Sequence, residues 1–210
     1  MKATDRIDQL KRMLEERILV VDGAMGTFIQ DMNLSADDFG GSQYEGCNEH
    51  LNLTNPDAIR FIHRQYIEAG SDILETNSFG STPLVLAEYG LGDKAYEISK
   101  AAALLARETV DRYGTPDKTI FVAGSMGPTT KAISVTGGVA WNDLAEHYYI
   151  QAKGLMDGGA DILLLETSQD TLNVKAGLAG IDRLSEEIGI EIPVAIQCTI
   201  EAMGTMLAGQ

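Results

Sequence analysis

The sequence predicts an α/β protein in which helices cover a parallel β-sheet. Short apolar segments alternate with helix-like segments along the 210 residues. Most of these apolar segments are hydrophobic at consecutive positions, as in strands that helices cover on both faces. One phrase also occurs twice, as AGSDILET at 69–76 and GADILLLET at 159–167. The repetition indicates two similar βα units that bring a carboxylate to the same end of the sheet.

The first helices follow from local signals. Ile7, Leu10 and Leu14 fall on one helical face near the N-terminus and predict a short helix there. Proline is favoured in the first turn of a helix and glycine just beyond its end, so Pro56 and Gly70 delimit a helix over 56–69. The core positions expected on this second helix are Ile59, Ile62, Tyr66 and Ile67.

Five strands and four further helices are predicted between segments rich in turn-forming residues. The strands cover 18–22, 72–76, 119–124, 161–166 and 193–200. The helices cover about 80–89, 93–113, 142–157 and 172–188. Residues 31–55 are rich in Asp, Gly, Ser and Asn, which predicts a long loop.

Periodicity alone does not distinguish a doubly wound sheet from a (β/α)₈ barrel. The ends of the strands are more informative, because polar or small residues follow all five apolar runs. In a barrel, the carboxyl ends of the strands form the rim that carries the active site. Five strands are too few to close such a barrel, so the chain is either an open sheet or most of a barrel. The residues expected at this rim are Asp22, Glu75, Thr76, Gly124, Ser125, Glu166, Thr167 and Thr199.

Composition and charge exclude several classes of protein. The formal net charge of −15 argues against binding to a nucleic-acid backbone, and no cluster of Lys or Arg reverses that sign. No apolar run approaches the length that spans a membrane, and the charged N-terminus is not a signal peptide. The two cysteines form no disulfide framework. These features predict a soluble cytoplasmic protein.

Two acidic residues stand out as candidate ligand-binding groups. Asp22 ends the first strand within DGAMGT, where it could bind an ammonium group or simply cap the next turn. Glu166 follows the apolar run ILLL, and a carboxylate at the edge of a buried strand needs a partner. Glu75 is a similar residue, but it and Thr76 must face opposite sides of a strand. Only one of these two can therefore point into a barrel.

The cysteines and histidines are weaker candidates. We expect Cys198, within the apolar strand VAIQCTI, to be a buried structural thiol. The spacing of Cys47 and His50 is compatible with metal binding, but two ligands do not make a zinc site. His63 and His147 lie on predicted helices and are expected to be structural.

Several long motifs, in order and over nearly the whole chain, resemble the homocysteine S-methyltransferase family. Within it they are most similar to the homocysteine-binding domain of the cobalamin-dependent methionine synthases, with ETSQDTLNVKA and the GPT segment favouring that branch. The motifs are DGAMGT at 22–27, GCNEHLNLT at 46–54, EAGSDILETNSFGS at 68–81, AGSMGPT at 123–129 and GGADILLLETSQDTLNVKA at 158–176.

The resemblance implies a (β/α)₈ TIM barrel that binds L-homocysteine and zinc at its carboxyl rim. Zinc would hold the homocysteine thiol as a thiolate, which attacks the methyl group of methylcobalamin, supplied ultimately by methyltetrahydrofolate. Asp22 and Glu166 match family acids that hold the amino group of homocysteine. Thr76 and Phe79 match positions that contact the substrate, and Asn77 lies between them. Gly23 and Ala24 lie where backbone groups would meet it.

The zinc ligands are where this chain departs from the family pattern. The family holds zinc with three cysteines, one after the sixth strand and two in a Gly-Gly-Cys-Cys segment near the end of the barrel. Neither Cys47 nor Cys198 matches these positions, so we propose neither as a ligand. We expect residues 1–210 to be an incomplete homocysteine-binding domain of about five βα units. The zinc cysteines and the folate and cobalamin modules would then lie beyond it.

Two alternatives remain open at this point. The chain could belong to a single-module methyltransferase that uses betaine or S-methylmethionine as the methyl donor. It could also be a non-catalytic binding fragment. In isolation we expect the 210 residues to be inactive, and to associate through the exposed edges of an incomplete barrel.

Overall fold

The described residues form an α/β structure around a four-stranded parallel sheet. The computed structural model describes residues 3–115 and 118–210. The strands lie in the order β1-β2-β3-β4, and all three neighbouring pairs are parallel. Their bounds are β1 Ile73–Glu75, β2 Phe121–Met126, β3 Ile162–Ser168 and β4 Val194–Cys198.

Helices precede, connect and cover these strands. The α-helices are α1 Ala3–Glu16, α2 Met25–Asp31, α3 Leu51–Thr54, α4 Pro56–Ala69, α5 Pro83–Leu86, α6 Ala95–Tyr113, α7 Trp141–Asp157 and α8 Thr171–Ile188. Single 3₁₀ turns lie at Ser42–Tyr44, Asn48–His50, Ala87–Tyr89 and Gly92–Lys94. No helix of the described residues combines the length and apolarity needed to cross a membrane.

The predicted helix over 56–69 is confirmed as α4. Its N-cap Asn55 accepts a hydrogen bond from the backbone N–H of Ala58, and Pro56 lies in the first turn. Gly70 ends it in the left-handed region, with φ of 105°. The expected core positions Ile59, Ile62 and Ile67 are buried, and Tyr66 packs against them from a partly buried position.

Two expectations about loops and helices need correction. The helix expected around 80–89 is only one α-helical turn, α5, continued by a 3₁₀ turn. The long loop expected over 31–55 contains two 3₁₀ turns and α3. Helix α2, just before it, was not predicted, because no side chain caps it.

The strand predicted at 18–22 is reduced to a single parallel bridge between Val21 and Ile73. Its backbone still runs alongside β1, since Asp22 N–H donates to Ile73 O (2.9 Å) and Asp72 N–H donates to Val20 O (2.8 Å). It has no partner on its other side among the described residues, and Ile18 is 88% exposed. The consecutive strand order has no reversal, whereas doubly wound sheets reverse at a switch point.

The two faces of the sheet pack against different helices. Side chains alternate between faces along each strand, so Leu74, Val122 and Leu163 share one face. That face forms the main core with α6, α7 and α8. On the other face, Ile73, Phe121 and Ile162 cluster with Leu10 of α1 near the amino ends of the strands. Beyond them, this inner face is open at the carboxyl ends.

Helix α1 is fastened to the amino ends of the strands by arginine–aspartate pairs. Arg6 donates to Asp161 at 2.6 and 2.9 Å, and Arg107 of α6 donates to the same carboxylate. Arg17, just after α1, makes a two-point contact with Asp72 at 2.8 Å. Asp72 and Asp161 are the aspartates of the repeated phrase, and each also accepts a backbone N–H from a neighbouring segment. We call these contacts the amino-end clamp.

Strand β4 is an exposed edge, which corrects two expectations. Ile196 is 47% exposed, and Cys198 is also exposed rather than a buried structural thiol. Its sequence is apolar, but no described helix covers it. Similarly, Leu14 was expected on the buried face of the first helix, yet it is 57% exposed, while Ile7 and Leu10 are buried.

His63 of α4 is fully buried, and neither ring nitrogen has a hydrogen-bond partner among the described residues. Burial lowers its pKa to about 4, so the ring is neutral at pH 7. In the unfolded chain the pKa returns to about 6.5, so the unfolded state takes up a proton first as the pH falls. The free energy of unfolding of the wild type therefore falls, on account of His63, as the pH decreases from about 6.5 to about 4.

We predict that His63→Leu removes this acid sensitivity. The difference in free energy of unfolding between the variant and the wild type should shift in favour of the variant by about 2 kcal/mol when the pH falls from about 7 to about 5. Denaturant titration at the two pH values measures this difference. His147→Leu is the matched control, and because His147 is only partly buried it should change the pH dependence much less. A difference between H63L and wild type that does not vary with pH would refute this account.

Candidate functional site

A cavity of about 450 Å³ opens at the carboxyl ends of the strands. We call it the rim cavity. All seven substrate-binding positions implied by the family resemblance line it, namely Asp22, Gly23, Ala24, Thr76, Asn77, Phe79 and Glu166. Further polar side chains that line it are Asn48, Glu49, Glu75, Ser78, Ser125 and Gln197.

The pleat of the sheet explains why polar side chains converge there. Ala123 is paired with Glu75, so the side chain two residues further along β2, that of Ser125, lies on the same face. Ser125 is paired with Leu164, which places Glu166 on that face too, and the pairing of Leu164 with Ala195 does the same for Gln197. Each of the four strands thus contributes one polar side chain to the cavity.

Asp22 is held at the cavity edge by one of its two carboxylate oxygens. Its Oδ1 accepts the backbone N–H of Glu75 at 2.9 Å, while the buried Oδ2 has no hydrogen-bond partner among the described residues. Burial raises the pKa of Asp22 to about 8, and the charges of Glu75 and Glu166 add to the effect. A buried carboxylate with a free oxygen favours a cationic ligand.

Glu75 and Glu166 make the cavity still more acidic. Burial raises the pKa of Glu75 to about 7, and the nearby Glu166 contributes to this rise. Burial also raises the pKa of Glu166, although a hydrogen bond from Ser125 Oγ to its carboxylate opposes the shift. Among the described residues that line the cavity there is no Lys, Arg or His to neutralise these acids. The electrostatic field is therefore complementary to an ammonium group.

Thr76 and Asn77 lie at the cavity wall, and hydrogen bonds fix both. Thr76 Oγ1 accepts the backbone N–H of Ser125 (3.0 Å) and shares a hydrogen bond with Ser78 Oγ (2.5 Å). Asn77 Nδ2 donates to Asn48 O at 2.7 Å. Thr76 lies beyond the end of β1, so strand alternation does not apply to it, and both it and Glu75 line the cavity.

Gly23 and Ala24 form the backbone edge of the cavity beside Asp22. Their N–H groups donate to no group among the described residues. The hydroxyl of Tyr66 donates to Ala24 O at 3.4 Å, and a Cβ at Gly23 would approach that hydroxyl to 3.2 Å. Tyr66 therefore supports this segment from α4, and the free N–H groups are available to an anionic group of a ligand.

Phe79 forms the aromatic wall of the cavity and rests on Gly127. A Cβ at Gly127 would come within 2.7 Å of three atoms of the Phe79 ring, so only glycine leaves room for it. Gly127 N–H also donates to Phe79 O at 3.0 Å. Tyr148 of α7 donates to Gly127 O at 3.1 Å, which ties this pair of loops to the buried helix layer.

We predict that Gly127→Ala displaces the Phe79 ring and weakens binding of a cavity ligand by about tenfold, a loss of about 1.4 kcal/mol. Calorimetric titration with L-homocysteine measures the effect. Adding Phe79→Leu removes the bulk that clashes, so the two substitutions together should cost less than the sum of their separate effects. Strict additivity would show that Gly127 does not act through Phe79.

Six polar lining residues are not among the substrate-binding positions that the family resemblance implies: Asn48, Glu49, Glu75, Ser78, Ser125 and Gln197. Glu75 and Ser125 were expected at the rim because they follow apolar runs, and Gln197 joins them through the pairing of β3 with β4 and the two-residue period of a strand. Glu49 was not predictable in this way, since it comes from a 3₁₀ turn far along the chain from the strands. Its carboxylate accepts the backbone N–H of Gly80 at 2.7 Å, next to Phe79.

The described residues do not fit a zinc site. No group of three or more His, Cys, Asp or Glu residues among them is arranged to hold a metal ion. Cys47 is buried in a hydrophobic cluster with Leu86, Leu91 and Ile98, and burial raises the pKa of its thiol to about 11. The nearby His50 is engaged with Phe39 O at 2.9 Å. We therefore derive no chemical step through a metal held by these residues.

Two known proteins, both methionine synthases, resemble the chain in sequence. It is 44% identical over 200 residues to the methionine synthase of Mycobacterium leprae (strain TN), which covers 95% of this chain and 16% of that protein. It is 43% identical over 206 residues to the methionine synthase of Mycobacterium tuberculosis (strain ATCC 25618 / H37Rv), covering 98% and 17%. The chain thus spans about a sixth of the length of these relatives.

The fold is similar to that of solved structures of the homocysteine methyltransferase MmuM from Escherichia coli. The metallated form has a TM-score of 0.76 at 22% identity, covering 96% of this chain and 70% of that one. The oxidized form has a TM-score of 0.75 at 21% identity, covering 96% and 69%. The family model for homocysteine S-methyltransferase matches residues 19–210. The chain therefore belongs to the homocysteine S-methyltransferase family.

Proposed function

We propose that this chain is the homocysteine-binding part of a methionine synthase, which transfers a methyl group to the thiol of L-homocysteine. The observation that carries the proposal is the rim cavity, which holds Asp22, Glu75 and Glu166 without a basic side chain among its described lining residues. Such a cavity selects a ligand with an ammonium group. Its position at the carboxyl ends of parallel strands is where α/β enzymes bind substrates.

In this proposal the chain binds and orients the amino acid. Asp22 and Glu166 accept hydrogen bonds from the ammonium group, and the unengaged N–H groups of Gly23 and Ala24 donate to the substrate carboxylate. Phe79, with Thr76 and Asn77, walls the cavity on the side of the loop after β1. Holding both ends of the amino acid fixes where its thiol lies, and such positioning supplies much of the rate in a transfer reaction.

The remaining chemistry would come from outside residues 1–210. We place there the zinc ligands that generate the thiolate, and the folate and cobalamin modules that supply methylcobalamin. Further strands would also close the sheet into a (β/α)₈ barrel. The exposed apolar side chains at its two edges support this closure, with Ile18 88% exposed on one side and Ile196 47% exposed on the other.

The test is methyl transfer by the complete enzyme that contains this domain. With L-homocysteine as acceptor, we expect methionine to form from methylcobalamin, and from methyltetrahydrofolate when cobalamin is present. Betaine and S-methylmethionine are the control donors. Methionine formed only from one of these two would contradict the proposal and favour a single-module methyltransferase.

A further inference from the structure

Glu75 of the rim cavity has no assigned role in the proposed function, yet its position is that of a binding residue. It ends β1 on the inner face of the sheet, the face that also carries Ser125 and Glu166. Its backbone N–H donates to Asp22 Oδ1 at 2.9 Å, so its own location is tied to that of Asp22. The three acids Asp22, Glu75 and Glu166 therefore line the same cavity.

The carboxylate of Glu75 is the unusual part of this arrangement. It makes no hydrogen bond and no ion pair with any described residue, although it is partly buried. Its charged neighbours are Asp22 and Glu166, both of its own sign. A carboxylate that is partly removed from water and placed near two others is costly unless a ligand compensates it.

The acids at the other end of the same strands show the contrast. Asp72 and Asp161 are buried, and each is paired with at least one arginine and one backbone N–H. The aspartate of each repeated phrase is thus paired, while the carboxylate of Glu75, three residues after Asp72, has no hydrogen-bond or ion-pair partner in the described part of the chain. An acid that serves only the fold would be expected to have the contacts that Asp72 has.

The number of acids indicates which ligand group would pair with them. A primary ammonium group has three N–H donors, and Asp22, Glu75 and Glu166 offer one carboxylate for each. We propose that Glu75 is a third carboxylate that binds the ammonium group of the α-amino acid substrate. This inference rests on the proposed function and extends it, because only Asp22 and Glu166 are given that role by the family resemblance.

The experiment compares two ligands that differ only in the ammonium group. L-homocysteine and 4-sulfanylbutanoate share the thiol and the carboxylate, but the second lacks the amino group. Both are titrated by calorimetry into the complete enzyme as wild type, as Glu75→Gln and as Glu186→Gln. The last is a matched control, since Glu186 is an exposed glutamate of α8.

We expect Glu75→Gln to weaken L-homocysteine binding by about tenfold or more, as for the loss of a hydrogen bond to a charged group. Binding of 4-sulfanylbutanoate should stay within about twofold of wild type, and Glu186→Gln should alter neither affinity. Glu75→Asp, which keeps the charge, should restore part of the homocysteine affinity.

Two results would overturn the inference. If Glu75→Gln weakens both ligands equally, Glu75 supports the cavity structure and does not bind the ammonium group. If the variant binds L-homocysteine as tightly as the wild type does, Glu75 is not part of the binding site. In both cases the proposed function stands. A wild-type enzyme that binds no L-homocysteine overturns the proposed function, and this inference with it.

Discussion

Asp22→Asn is expected to weaken L-homocysteine binding by about a hundredfold, or about 2.7 kcal/mol. The asparagine can still accept the Glu75 N–H with its carbonyl oxygen, so the loop keeps its anchor. Its amide nitrogen then replaces Oδ2, the oxygen that has no partner among the described residues. An N–H donor facing an ammonium group is repulsive, and no carboxylate charge can form opposite that group. Calorimetric titration of the complete enzyme measures this loss.

The same substitution should stabilise the free protein at high pH. The pKa of Asp22 is about 8 in the folded protein and about 4 in the unfolded chain. A raised carboxyl pKa contributes stability that is fully present in acid and is lost as the pH rises towards 8. Asparagine does not ionise and has no such loss. The free energy of unfolding of D22N, relative to that of the wild type, should therefore be higher at pH 8 than at pH 5.

These two effects together separate a binding role from a folding role. A variant with a lower affinity for L-homocysteine but a higher free energy of unfolding at pH 8 has lost a binding group without losing stability of the fold. Asp182→Asn, an exposed aspartate of α8, should change neither quantity. Unchanged homocysteine affinity in D22N would refute the assigned role of Asp22.

Asp161→Asn is expected to destabilise the fold by about 3–5 kcal/mol, because it breaks a buried ion pair from one side. The Asp161 side chain is 5% exposed, and its partners Arg6 and Arg107 are 15% and 16% exposed. Asparagine fills the same space but leaves both guanidinium groups without a counter-charge. The free energy of unfolding from urea titration is the measurement.

An exposed ion pair supplies the matched control. Arg183 and Glu146 connect α8 and α7 with side chains 54% and 46% exposed. Glu146→Gln should therefore cost less than about 1 kcal/mol, as is usual for solvent-exposed pairs. If the two substitutions destabilised the protein equally, the amino-end clamp would be worth no more than a surface contact.

The sequence indicates the layered α/β architecture because long apolar and amphipathic segments determine it locally. Helix α4 is an example, with Pro56, Gly70 and a regular apolar face all agreeing. What covers a strand is not a local property, however. The apolar sequence of β4 suggested a buried strand and a buried Cys198, whereas β4 lies at an edge and this thiol is exposed.

The site was predictable to a similar extent. Polar residues after apolar runs indicated a rim, and the cavity brings together all seven residues that the family resemblance implied. The expectation that only one of Glu75 and Thr76 points inward was wrong, because β1 ends at Glu75 and strand alternation does not extend to Thr76. Glu49 joins the cavity through a hydrogen bond to Gly80 across 31 positions, for which the sequence carries no local signal.

The amino-end clamp also has a consequence for the order of folding. Arg6 and Asp161 are 155 positions apart, so their contact closes a long loop. Contacts of such sequence separation are slow to form, because the entropy of loop closure must be overcome first. Helix α1 precedes β3 along the chain, so it can make these contacts only after β3 has been synthesised. Until then its apolar face remains a surface on which chaperones can act.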